Sequence, residues 1–427
     1  MTLVESGVAW LGQVPSNWVV KPAKALFTSP SEPSLPSDVH LTPSQKYGVL
    51  PQSEYMETTG SRVVLNLTGA DNMKHVKSGD FVSHLRSFQG GLEFSGLDGK
   101  ISNAYTVLRP RTELAHGFYR WLFKSSLYIQ GLQTTTDQLR DGQSIRFGQF
   151  ALLPLPEPPI EEQRAIAEFL DRETAQIDNL IAKQEQLIAT LGERRAGIIR
   201  EATTLGIRGT GTIIDSGIPW IGPVAKEWTI APIKHHADTG AGSGFPIEEQ
   251  GQDGEEITFL KVNALGRAGA DGLIRVLDDT VSRETAKRLG ARIYPPNTVV
   301  LAKIGAALLL GRIRQLTANS CIDNNMLAIT AKPMTSSRYL FYALNLINFE
   351  RIVNPGAVPS TSETAVGNFK MPFPSLTEQE EISNYLDETL LTLDQTVEKA
   401  SLVIATLQER RQALISAAVT GKIEIRG

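Results

Sequence analysis

Cysteine is nearly absent: Cys321 is the only one in 427 residues. That excludes a disulfide framework and any cysteine-based zinc site, and it suits a reducing cytoplasm. Long apolar runs are missing too. The longest, near Ala306–Leu310, is far too short to cross a bilayer. The first ten residues, MTLVESGVAW, have neither a basic flank nor an apolar core, so no signal peptide is expected. The chain also lacks a dominant charge, with 42 Lys and Arg against 46 Asp and Glu. The distribution is more telling than the total. Residues 1–160 carry 14 basic and 13 acidic side chains, and 204–376 carry 17 and 15. Residues 161–203 carry only 6 basic against 9 acidic, and 377–427 carry 5 against 9. Acid is thus concentrated in two segments, and the remainder is near neutral to slightly basic, which permits contact with nucleic acid without requiring it.

Catalytic signatures are lacking as well. There is no phosphate-binding G-x-x-x-x-G-K-[ST], no H-E-x-x-H and no G-x-S-x-G. Asn354-Pro355-Gly356-Ala357 does not satisfy the Asn/Asp-Pro-Pro-aromatic pattern of amino-methyltransferases, and no nuclease carboxylate–lysine cluster stands out. The glycine-rich Thr239–Pro246 has G-x-G-x-G spacing but follows Lys-His-His-Ala-Asp and not an apolar strand, so a flexible loop is expected there. His235-His236 could ligate a metal, yet no third ligand is spaced for it. Together these absences disfavour an enzyme.

What is present is a repeat. Ser6–Trp18 (SGVAWLGQVPSNW) matches Ser216–Trp228 (SGIPWIGPVAKEW), including two of the five tryptophans of the chain in each copy. A second block, residues 162–195, matches 378–411 without a gap. Glu162-Gln163 aligns with Glu378-Gln379, Leu170-Asp171 with Leu386-Asp387, Asp178 with Asp394, and Glu193–Arg195 with Glu409–Arg411. Each second block follows a proline-punctuated apolar stretch, Leu153–Gln163 or Met371–Gln379, where a strand should end and a helix begin. The order is domain, helix, domain, helix, with divisions at 1–160, 161–203, 204–376 and 377–427.

Both helical segments are free of proline and carry a seven-residue apolar series. It runs through Leu170, Ile177, Leu191 and Ile198 in one, interrupted by Gln184, with Leu180 and Leu187 read as the other seam. In the other it runs through Leu386, Leu393, Leu407 and Leu414, with Ala400 at the interruption. About 40 residues make a helix of roughly 60 Å, longer than a domain of this size needs. Packing of one copy against the other, antiparallel, is expected, with an internal pseudo-twofold axis.

The two globular segments read as mixed α/β. Gly79–Leu85 and Asn297–Gly305 are matching apolar strands, Ala104–Pro110 and Met326–Pro333 are matching later ones, and Gly117–Gln130 and Ser337–Glu350 are aromatic helices. Their loops diverge and carry basic and polar residues suited to base edges and phosphates. The candidates for DNA contact are Lys74, Arg86, Ser87, Gln89, Lys100, Arg140, Ser144 and Arg146 in the first domain. In the second they are Lys261, Lys303, Arg312, Asn319, Ser360 and Thr361.

The repeated pieces resemble the specificity (S) subunits of type I restriction-modification systems over nearly the whole chain. The resemblance is carried by Trp10-Leu11-Gly12 and Trp220-Ile221-Gly222, by Pro156–Gln163 and Pro374–Gln379 with the Leu-Asp pairs that follow, and by Gly79–Leu108 and Gly242–Val262. It implies an α+β chain: two α/β target-recognition domains, each followed by a long helix, the helices forming an antiparallel coiled coil. It implies one half of a split double-stranded DNA sequence per domain, with the helices setting the spacer. It further implies two modification (M) subunits and restriction (R) subunits as partners. S-adenosylmethionine, ATP and Mg would then sit on those partners, and this chain would hold no cofactor or metal, have no membrane association and do no chemistry itself. The alternatives are a fragment of a fused restriction-methylase enzyme and a structural coiled-coil scaffold.

Overall fold

The computed structural model describes residues 2–61, 73–83, 90–134, 145–209, 211–347, 349–354 and 358–425. The chain forms two compact units, Met1–Lys183 with Val403–Gly427, and Gln184–Leu402. Two long helices, Ile160–Leu205 and Leu376–Val419, each contribute their first part to one unit and their last part to the other. Each unit therefore holds one globular head, the start of the helix that follows this head, and the end of the other helix.

Both heads are entered in the same way. A hairpin, Leu3–Glu5 with Gln13–Pro15 in the first unit and Ile213–Asp215 with Pro223–Ala225 in the second, brackets the repeated tryptophan motif. Ser6 Oγ accepts from the Val8 amide and Ser216 Oγ from the Ile218 amide, both at 3.1 Å. Gly12 and Gly222 close the turns at φ 64° and 74°, values that disfavour any side chain. Next, Val19–Pro22 pairs with Pro154–Glu157, and Thr229–Pro232 pairs with Lys370–Phe373. The last strand before each long helix is thus tied to the first strand of its own head, so the head closes on itself before the helix starts.

The interiors differ. The first head has a four-stranded sheet in the order Phe27–Thr28, Val107–Pro110, Phe81–Val82, Glu93–Phe94. An aromatic core of Phe27, Phe81, Phe118, Tyr119, Phe123 and Phe150 packs mainly edge to face. The second head has a five-stranded sheet in the order Ala237–Ala241, Met326–Ala331, Val299–Ala302, Arg314–Leu316, Leu273–Ile274, whose core is mainly aliphatic. A three-stranded sheet, Thr280–Val281, Ile257–Leu260 and Ser320–Ile322, lies beside it over a small separate core that includes Cys321, whose thiol burial pushes up to about 11.

Two expectations need correction. Thr239–Ala241 is not loop but the end of a strand paired with Met326–Ala331. The glycines there serve close packing: a Cβ on Gly240 would meet the Tyr294 ring, and one on Gly242 would overlap the carbonyl oxygens of Ile322 and Asp323. The second helical seam was also misplaced. Leu180 and Leu187 are 47% and 40% exposed. The residues turned inward are Thr174, Ile181, Ile188, Arg195 and Ala202, one position later than expected, and Leu390, Val397, Ile404, Arg411 and Ala418 in the second helix.

Candidate nucleic-acid interface and its frame

The repeated residues of the helices hold each head to its frame. The Gln163 side chain accepts from the Ala115 amide at 2.9 Å and donates to Pro158 O at 2.8 Å, and it is buried. Gln379 does the same with the Ser336 amide and Pro374 O, at 2.8 and 2.9 Å. Each glutamine thereby binds the start of an aromatic head helix, His116–Lys124 or Ser337–Ala343, to the proline corner where its long helix begins. One turn into these head helices, Tyr119 and Tyr339 donate their hydroxyls to Pro156 O and Pro372 O, and burial raises both phenols above the ordinary range. Asp171 accepts from Trp121 Nε1 at 2.8 Å and from Arg120, while Asp387 accepts from Tyr342 Oη at 2.6 Å and from Arg338. Replacing Gln379 with leucine should destabilise the second head by about 2 to 3 kcal/mol in urea titrations, because a buried amide and a buried carbonyl both lose their partner.

Within each unit the two helices run antiparallel and are joined by the same repeated pair. In the first unit Arg411 reaches Asp178 at 2.8 Å. In the second Arg195 reaches Asp394 at 3.2 Å, and Arg208 reaches Glu381 at 2.6 Å. In the repeated pair the carboxylate comes from one helix and the guanidinium from the other in each unit, so the aligned Asp178/Asp394 and Arg195/Arg411 are repeated because each pairs with the other copy, whereas Arg208 lies just past the end of its helix. In the second unit these helices and the segment 269–275 line a cleft of about 520 Å³. Its aspartates are held in ion pairs, Asp271 with Arg275, Asp387 with Arg338 and Asp394 with Arg195.

The proposed DNA-contact residues fall in several places. Arg86, Ser87, Gln89, Arg140 and Ser144 lie outside the described residues. Lys74 and Lys100 sit on the paired strands Met73–Val76 and Gly99–Ser102. The Lys74 ammonium donates to Asn103 O and Tyr105 O, and burial lowers its pKa. Arg146 is exposed at the start of the short helix Phe147–Leu152. In the second head Lys261 is tied to Asp279 at 2.9 Å. Asn319 is exposed at the far end of Ser320–Ile322 from Lys261, because Thr258 is paired with Ser320 and Leu260 with Ile322.

Lys303, Arg312, Ser360 and Thr361 do come together. Val299–Ala302 and Arg314–Leu316 are antiparallel, with Val300 opposite Arg314, so the two stems carry Lys303 and Arg312 up to one hairpin tip. The adjoining segment is bound to that stem by Thr361 N to Lys303 O at 2.9 Å and by a bridge between Ile304 and Ser360. Thr361 itself is buried and its hydroxyl donates to Ile352 O, so it builds this surface from beneath. Elsewhere, His236 stacks on Phe373 at 3.6 Å, and burial lowers its pKa. No group of three or more potential metal ligands is found among the described residues. No helix among them is long and apolar enough to cross a membrane.

Comparison with known proteins agrees with this frame. Residues 229–401 match the family model described as type I restriction modification DNA specificity domain. The MjaVIII specificity subunit of Methanocaldococcus jannaschii is 22% identical over 289 residues, covering 65% of this chain and 64% of that one. A second subunit from that organism, described as a putative MjaX specificity subunit, is 20% identical and covers 82% of this chain and 78% of its own length. The chain thus spans a little under two thirds of the first relative and over three quarters of the second. A solved chain from a study of complex assembly and conformational transition of the type I R-M system shares the fold. Its TM-score is 0.72 at 15% identity, over 96% of this chain and 99% of that one. By its matched domain, its relatives and its fold, this chain is similar to type I restriction-modification specificity subunits.

Proposed function

We propose that this chain is the DNA-reading subunit of a type I restriction-modification complex, recognising a bipartite double-stranded target with one half-site per head. It is a recognition subunit and not a catalytic one. The observation that carries this reading is the division of labour among residues. The repeated ones hold each head to its helices, as Gln163, Asp171, Gln379 and Asp387 do. The residues that differ lie in the head interiors and loops. One frame with two unlike heads suits an asymmetric split sequence. In the second head Lys303, Arg312 and Ser360 are the first candidates for contact, with Asn319 and Lys261 at the margins. In the first head they are Arg146 and Lys100, with Arg86, Ser87, Gln89, Arg140 and Ser144 assigned by residue type alone.

Functionally the chain divides into a reader at 1–160, a spacer helix at 161–203, a second reader at 204–376 and a second spacer helix at 377–427. Two M subunits dock on the helices and R subunits join them in the cytoplasm, with S-adenosylmethionine, ATP and Mg held by those partners. Leu187 and Leu391, exposed on the helices of the second unit, and Leu180, exposed on those of the first, are apolar residues left for such a partner.

The spacer role is tested by inserting seven residues after Ala182 and a matching seven after Leu402. Both sites lie between the ion pairs of the two units, so Asp178–Arg411 and Arg195–Asp394 keep their register. Methylation should then follow a motif with unchanged half-sites and a spacer lengthened by about three base pairs, from roughly 10 Å of added helix. Altered half-sites with an unchanged spacer would refute the role.

A further inference from the structure

The hairpin tip of the second head carries two leucines that its fold does not use. Between Gly305 and Gly311 the chain makes one helical turn, Ala306–Leu309. Leu308 points inward and is buried, while Leu309 and Leu310 are 56% and 61% exposed. Single exposed leucines are ordinary on protein surfaces, but this adjacent pair stands on a tip that is fixed on several sides. Gly305 N donates to Pro359 O at 2.8 Å, Lys303 N to Asn325 O at 2.7 Å, and the Phe349 ring lies against Gly311. Val358, 57% exposed, precedes the proline that anchors Gly305.

Two basic side chains flank the tip. Lys303 and Arg312 stand on its two stems, and neither has a carboxylate partner among the described residues. Arg314, one step further down, donates its guanidinium to Leu265 O and Ile313 O. An apolar point between two cations that have no carboxylate partner among the described residues fits a polyanion whose interior is apolar and stacked. A protein groove would favour the leucines but would leave both cations without a role.

We propose that Leu309 and Leu310 form an apolar wedge that enters a groove of the DNA and unstacks a base step, while Lys303 and Arg312 hold the phosphates on either side. Inserted apolar side chains act in this way in proteins that kink DNA. The proposal rests on the DNA-reading function above. It adds that the second half-site is read partly through the ease of deforming one step, with no hydrogen bond to its bases.

The test uses the full-length chain, assembled with its methyltransferase partners, and duplexes of the mapped target with 2-aminopurine placed at successive positions of the half-site. Wild type should raise the fluorescence at one step. Leu309→Ser with Leu310→Ser should abolish that signal and weaken binding about 10- to 100-fold, with the salt dependence unchanged. Leu309→Met with Leu310→Met should retain both signal and affinity. Lys303→Gln with Arg312→Gln should instead weaken binding and lower the slope of log K against log salt by about two. If the serine variant keeps both signal and affinity while the glutamine variant loses affinity, the wedge is wrong and DNA reading stands. If the serine variant fails only in assembly with the methyltransferase, the tip is a protein contact and the proposal is overturned. Should wild type bind no target duplex, the reading on which the wedge rests fails with it.

Discussion

Replacing Gly242 with alanine should unfold the second head, or destabilise it by about 3 kcal/mol or more. The new methyl would stand inside the contact distance of two backbone carbonyls, Ile322 O and Asp323 O. Neither can retreat cheaply. Ile322 ends a strand paired with Ile257–Leu260, the Asp323 amide is bonded to Leu260 O, and Ser243 N donates to Ile322 O at 2.9 Å. Gly242 is equally fixed on its own side: it directly follows the strand Ala237–Ala241, which pairs with Met326–Ala331, and its amide donates to Met326 O at 3.2 Å. Gly192 provides the control: it lies within a helix with nothing near its missing Cβ, so Gly192→Ala should be neutral or stabilise by about 0.5 to 1 kcal/mol. Urea titrations of the two variants should move in opposite directions. Equal, small effects would mean that Gly242 does not mark a close approach of strands.

Exchanging residues 20–150 for the corresponding segment of a relative should change one half of the methylated sequence and leave the other intact. Each mismatched base pair costs about 1 to 3 kcal/mol, so three altered pairs should lower methylation of the original sequence by about a thousandfold or more. The exchange leaves the Ser6–Trp18 motif, the Pro154–Glu157 strand and the long helices in place. It does remove Tyr119 and Trp121, which bond Pro156 O and Asp171. The donor must therefore supply a tyrosine and an indole or guanidinium at those positions, or the head will lose its seat and no half-site will be read. Sequencing that reports methylated adenines distinguishes a changed half-site from a lost one.

The frame was legible in the sequence because its residues are repeated for one reason in both copies. Each glutamine of the Glu-Gln pairs binds a head helix, and the second arginine of each Glu-Arg-Arg pairs with an aspartate of the opposite helix. The aligned blocks marked these positions, although their partners lie up to 233 residues away and no spacing rule names them. The inner seam was misread because hydrophobicity is a poor guide where a helix buries polar side chains. Thr174 and Arg195 face inward, the threonine bonding Leu170 O and the arginine bonding Asp394, while Leu180 and Leu187 face outward. Thr239–Ala241, the first part of the glycine-rich Thr239–Pro246, was misread for a related reason. Its glycines suggested mobility, whereas they permit strands to approach closely, and only the tertiary partner distinguishes the two.

The candidate site was less legible. Residue type alone singled out Lys74, Lys261 and Thr361 beside Lys303 and Arg312. Their hydrogen bonds separate them, since Lys74 and Lys261 have internal acceptors and Thr361 is buried. Leu309 and Leu310 were noted only as part of an apolar run too short for a membrane. The signal that could have found them was a leucine pair between two glycines with a basic residue on either side, which is a tip pattern and not a core pattern.

The most direct test of two-headed DNA reading maps methylated adenines across the host genome with the gene intact, deleted and restored, while the methyltransferase subunit of the proposed complex is expressed. One asymmetric split motif should lose methylation at both half-sites on deletion and regain it on restoration. Persistence of every methylated motif after deletion, with the methyltransferase present, would contradict the account.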